Sequence, residues 1–186
     1  MRKAVGSMMA VVAVLSAAAV LHAGWSGVAS TGTIDEGDLN KLVLNNDGSA
    51  TVRPTISSTS AKIRFNVTES LDLLTQPPTS DAGAVEFAMR FRDNGPDARV
   101  IATLKQVGLW GFHDRPEQTT EVLATIDSDL YPASDQWQTG RPDRWRRIVN
   151  GLDFLRYGYV VEVQIIKDNA AGNPGLMGVQ LYRDDG

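Results

Sequence analysis

Residues able to do chemistry gather in one stretch of this chain, Trp137-Gln138-Thr139-Gly140-Arg141-Pro142-Asp143-Arg144-Trp145-Arg146-Arg147. Four arginines and one aspartate between 141 and 147 give a local charge of +3, on a chain where 18 Lys and Arg face 22 Asp and Glu. A positive segment on an acidic protein concentrates anions locally, and the guanidinium fork matches carboxylate or phosphate geometry. Trp137 and Trp145 add rings that can stack on sugar faces or bases beside the cations. Trp137, Arg141, Arg144, Trp145, Arg146 and Arg147 thus form a candidate patch for an anionic glycan, a cell-wall polymer or an acidic protein surface. The competing expectation is a solvated arginine-rich strand or helix pairing with the protein's own carboxylates.

A second cluster is Val107-Gly108-Leu109-Trp110-Gly111-Phe112-His113-Asp114. Glycines on both sides of Trp110 allow the ring to project as a sugar platform, or to plug the open end of a core. His113 beside Asp114 does not make an oriented base, because neighbours in an extended chain point to opposite faces. No Gly-x-Ser-x-Gly elbow supplies a nucleophile. Asp127 and Asp129 are weak Ca²⁺ candidates: they could share an ion that takes six to eight oxygens, but Asp-Ser-Asp after a strand is ordinary turn chemistry. A carboxylate pair for glycoside hydrolysis needs a separation that sequence spacing does not reveal.

Absences narrow the chemistry further. Zero cysteines exclude disulfides, thiolate metal sites and a cysteine nucleophile. No phosphate-cradling glycine loop is present, so no cofactor is expected.

Around these residues the chain carries an address and then a long series of short strands. Residues 1–23 combine Arg2 and Lys3, an apolar run from Met8 to Leu21, and Ala23 before Gly24. That is the layout of a secretory signal peptide, shorter than the membrane span of about 20 apolar residues. Its removal also takes away His22 and leaves His113 as the only histidine, which excludes a two-histidine zinc site in a monomer. Export to the cell surface or the medium is expected, with no stable membrane span after cleavage. Residues 24–40 read as a flexible lead-in or a loosely attached first strand.

From 41 to 186 period-two alternation dominates. Lys41–Leu44 and Ala50–Ile56 flank an Asn45–Gly48 turn, with Pro54 suggesting an edge strand. Ile63, Phe65 and Val67 share one face of 61–68; Val85, Phe87, Met89 and Phe91 share one face of 85–92, with Glu86, Arg90 and Arg92 opposite. Residues 99–107 are expected to return beside 85–92 as a hairpin around Asp93–Asp97. Val122, Ala124 and Ile126 align on another strand, and 157–167 with 176–182 read as a second hairpin. Trp145, Ile148, Val149 and Leu152 fit a short helix by spacing and a strand by context. The expected fold is all-β: an antiparallel sandwich, jelly-roll-like or Ig-like, of about seven or eight strands in one domain.

Three function classes fit these residues. The default is a secreted, non-catalytic structural or interaction protein. The alternatives are a carbohydrate- or anionic-polymer-binding module using the Trp and Arg side chains, and a carboxylate-dependent hydrolase. Nucleic acid is not expected as a partner of an exported acidic chain; nothing in the sequence sets the oligomeric state.

Overall fold

The computed structural model describes residues 24–70, 73, 85–108, 120–142 and 151–183. Eleven strands lie among them: β1 (Trp25–Val28), β2 (Thr33–Ile34), β3 (Leu42–Leu44), β4 (Ala50–Val52), β5 (Thr59–Val67), β6 (Val85–Asp93), β7 (Ala98–Gly108), β8 (Thr120–Asp127), β9 (Ser134–Gly140), β10 (Tyr157–Lys167) and β11 (Gly175–Arg183). They form two antiparallel sheets. One has the order β3-β4-β11-β6-β9, with β1 also on β11, and the other the order β2-β5-β10-β7-β8. The kernels β4-β11-β6-β9 and β5-β10-β7-β8 are the two four-stranded layers of a jelly roll. Alternation anticipates eight of the strands, β3 to β8 with β10 and β11; β1, β2 and the kernel strand β9 are not anticipated.

Alternation correctly marks which side chains face inward. Phe87, Met89 and Phe91 from β6 meet Ile63 of β5, Leu104 of β7 and Ile165 of β10 in a core where each is essentially inaccessible. Burial of such side chains supplies roughly 1.5–3 kcal/mol each. The core-facing side of β10 is Tyr159, Val161, Val163 and Ile165, as the period-two pattern indicates.

Strand pairing differs from both long hairpins expected. β6 pairs with β11 and β9, whereas β7 pairs with β10 and β8 in the opposite sheet. The Asp93–Asp97 turn is therefore an arch between layers. Asp93 lies on the core-facing side of β6 and is buried; its carboxylate accepts from Gly95 N and from the Ser128 hydroxyl, which in turn accepts from Val100 N at 2.8 Å. Gly95, at φ 135°, supplies a backbone angle that L side chains rarely adopt. β10 and β11 likewise lie in opposite sheets. An alternating strand buries one face equally well in either arrangement, so alternation alone does not choose a partner.

Smaller corrections follow the same logic. The β3–β4 hairpin forms as expected around Gly48, at φ 86°, but Pro54 lies past the end of β4, which is flanked by β3 and β11 and is not an edge. A register shift opposite Leu104/Lys105 turns Val122 outward, to 52% exposure, away from buried Ala124 and Ile126. Residues 24–40 contain paired strands: β1 pairs with β11, β2 with β5, and Ala29 is buried. The helix-or-strand stretch is described only at 142 and from 151, where Leu152 is buried and donates its N–H to Leu73 O. Among the described residues no helix is long and apolar enough to cross a membrane.

Candidate functional site

The two outward sheet faces treat charge in opposite ways. On the five-stranded sheet, cations are matched by carboxylates. Glu162 on β10 receives Lys105 at 3.1 Å, Arg64 at 3.2 Å and Lys62 at 3.6 Å, and Arg64 also reaches Asp35. Burial pushes the Glu162 carboxyl up, but hydrogen bonds from Lys105 and Arg64 outweigh it and leave the group below its ordinary range. Arg99 grips Asp127 through two donors and lies 3.0 Å from Asp129. The guanidinium thus stands where a Ca²⁺ was considered for Asp127 and Asp129, and it holds Asp127 below the usual carboxylate range; burial lifts Asp129. No cluster of three or more metal-ligating side chains occurs among the described residues.

On the six-stranded sheet the outward rows follow from register. Arg92 is opposite Gly175, and Gly175 opposite Thr51. One row on, Arg90 lies between Gly178 and Thr139; then Ala88 faces Gln180, which faces Ser26; then Glu86 faces Tyr182. Arg141 follows Gly140, the partner of Met89, and so lies just past the end of β9, on the strand beside Arg90.

Three guanidiniums on this face are left uncompensated. Arg92 donates from Nε to Asn173 O at 3.2 Å and from Nη2 to Asn173 Oδ1 at 2.8 Å, and its guanidinium carbon stands 5.2 Å from the Trp137 ring centre. Trp137 is half-buried, its indole bearing on Gly175, where an added Cβ would come within 3.0 Å of the ring. The ring therefore holds Arg92 more than it offers an open platform. Arg141 is fixed through its backbone, which both donates to and accepts from the Tyr131 hydroxyl, and its guanidinium lies 5.7 Å from the Tyr182 ring. Arg90 is exposed. None of the three makes an ion pair with a described carboxylate. Two acids stand at the margins: Glu86 accepts from the Tyr182 hydroxyl at 2.7 Å, and Asp47 is held below its usual range chiefly by hydrogen bonds from Ser49, with a small pull from Arg92.

Beside Arg90 is a cleft of about 240 Å³ whose lining includes Ser26, Val28, Ala88, Arg90, Thr139 and Gln180. Gly178 lies in its lining with its α-carbon against Gly27 O; a Cβ there would approach that oxygen to 2.7 Å. Small residues thus keep the middle of the face open while polar side chains border it.

Of the residues expected from sequence, Trp137 and Arg141 lie on this face; Trp110, Arg144, Trp145, Arg146 and Arg147 lie outside the described residues, as do His113, Asp114 and the signal segment 1–23. Sequence reasoning did not bring Arg90, Arg92, Tyr182, Gln180, Ser26 and Thr139 to the site. The outward alternation of β6 already separates Arg90 and Arg92 from the core, but only register shows that Trp137 and Arg141 join them.

No protein-family model and no curated protein sequence matches this chain. Several solved structures have a similar chain course. One is a family two carbohydrate esterase from Cellvibrio japonicus, at 11% identity and TM-score 0.44, over 87% of this chain and 34% of that one. Another is a xylan-binding module, at 12% identity and TM-score 0.43, over 87% and 97%. A third is a family 30 carbohydrate-binding module of a cellulosomal cellulase of Clostridium thermocellum, at 15% identity and TM-score 0.40, over 88% and 92%. The chain spans about a third of the esterase's length. At identities and scores this low, the ligand has to be argued from this chain's own residues.

Proposed function

We propose that the protein is a non-catalytic, carbohydrate-binding β-sandwich, exported through its first 23 residues, that takes a glycan along the outward face of its six-stranded sheet. The observation that carries this reading is the open cleft over Ala88 and Gly178 with Ser26, Thr139, Gln180 and Arg90 around it. Hydroxyl and carboxamide groups donate and accept hydrogen bonds, which suits a ligand dense in hydroxyls, and Val28 offers contact to apolar sugar C–H faces. The described residues lining the cleft include no carboxylate or histidine, so a bound sugar there meets no acid–base pair of the kind glycosidases use.

The test is retention on a panel of neutral and acidic insoluble polysaccharides, with Thr139→Trp as the blocking variant. Thr139 is exposed at the cleft, so a large ring there closes it without entering the core. Wild type is expected to bind at least one glycan, and the variant to bind about tenfold more weakly, or about 1.4 kcal/mol, with an unchanged melting curve. Equal retention of both proteins, or no retention of wild type on any glycan, would refute the reading.

A further inference from the structure

The contrast between the two outward faces goes a step beyond sugar binding. On the five-stranded sheet, Lys62, Arg64, Arg99 and Lys105 are all neutralised by carboxylates. On the other face Arg92 and Arg141 are positioned by aromatic rings and by backbone or carboxamide groups, which fix a guanidinium without cancelling its charge. On a chain with more acids than bases, the five-stranded sheet neutralises its cations while this face leaves three guanidiniums free. Their placement is also spread along the face. Arg92 and Arg90 occupy successive outward rows of β6, at about 7 Å per two residues of strand, and Arg141 lies just past the end of the neighbouring β9. A single phosphate or carboxylate cannot reach all three, whereas a polymer with an anion on each repeating unit can.

Resting on the reading of this face as the glycan site, we propose that the glycan is a polyuronate, a sugar chain with a carboxylate on each ring, held by Arg90, Arg92 and Arg141. The guanidinium fork donates two parallel hydrogen bonds to a carboxylate, and a fork already pinned loses little freedom on binding. A duplex nucleic acid, with one charge per about 1.7 Å, meets stronger repulsion from the net −4 of the chain than a polymer with one charge per sugar ring.

The experiment compares polygalacturonic acid, its fully methyl-esterified form and neutral dextran as affinity matrices, with duplex DNA as a competitor. The free acid should be retained at 0.1 M salt and released towards 1 M, as the screening length falls from about 10 to about 3 Å. The methyl ester should bind about tenfold more weakly, and Arg90→Gln/Arg92→Gln should lose a similar factor while staying folded, with only the small fall in melting temperature that losing the Arg92 contacts to Asn173 and Trp137 brings. Arg92→Lys, which keeps the charge and loses the fork, should fall between. Equal binding of ester and acid, or full retention by the double variant, overturns the polyuronate and leaves a neutral-glycan site standing. Preferential capture of DNA overturns it as well, and absence of retention on every polysaccharide removes both readings together.

Discussion

Glu162 is where a single atom exchange tests the electrostatics of the sandwich. Glu162→Gln keeps the shape of the side chain and removes the charge that Lys62, Arg64 and Lys105 share. Glu162 is 19% exposed and its partners are between 28% and 42%, so each pair is at the exposed end of the range, about 0.2–1 kcal/mol. The three pairs, with the mutual repulsion of the cations left behind, give an expected loss of about 1–2 kcal/mol at pH 7. For a chain of this size that is a fall in melting temperature of about 2–8 °C.

The loss has a definite pH course. The folded-state pKa of Glu162 lies below the ordinary glutamate value of about 4.5, so its stabilisation is fully present above about pH 4.5 and disappears as pH falls through the folded value. Wild type and variant should therefore converge in the most acid melts, where both carry a neutral side chain, and should also approach each other in 1 M salt. Melting curves from pH 2 to pH 7 at low and high salt measure this. A gap that persists unchanged at pH 2, or no gap at pH 7, would show that the network does not act through charge.

Two further substitutions probe the arch and its surroundings. Ser128→Ala should destabilise by about 1–3 kcal/mol, because buried Asp93 loses a donor and Val100 N an acceptor; a denaturant midpoint within error of wild type would contradict the buried network. Gly172→Ala sets a Cβ 2.0 Å from Asp97 O, backbone that is also bonded to Asp168 N, so urea unfolding should show a loss of at least about 1 kcal/mol; equal or greater stability would show that this connection shifts freely.

Face was legible in the sequence; neighbour was not. The odd positions of β6 from Val85 to Phe91 announce a core side because successive side chains alternate, and their burial bears this out. The same pattern continues into Asp93, a carboxylate on the core side, and that misplaced polar residue is the sign that Asp93–Asp97 is an arch tied to Ser128 rather than a free hairpin turn. Val122 failed for a different reason: a bulge adds one residue and reverses parity, and nothing in Glu121–Ile126 encodes it. The site divides the same way. Arg90 and Arg92 are outward by alternation alone, whereas their union with Trp137, Arg141 and Tyr182 depends on β9 and β11 flanking β6, a long-range fact with no local signature.

That order of strands has a consequence for how the chain acquires its structure. β10 occupies the middle of one sheet and β11 the middle of the other, so the two strands latest in the described chain are the ones on which the earlier kernel strands must close. Until β10 exists, β5 and β7 have no partner between them; until β11 exists, β4 and β6 stand apart. Among the described strands, pairing of near neighbours in sequence can start at β3–β4 and β7–β8, and β2–β5 and β6–β9 also pair without either closing strand. Folding must wait for synthesis of both closing strands and then draw together segments more than a hundred residues distant, which places it among slow, high-contact-order folders working in milliseconds to seconds. Before that moment the nascent polypeptide keeps strand edges with no partner, a state open to aggregation.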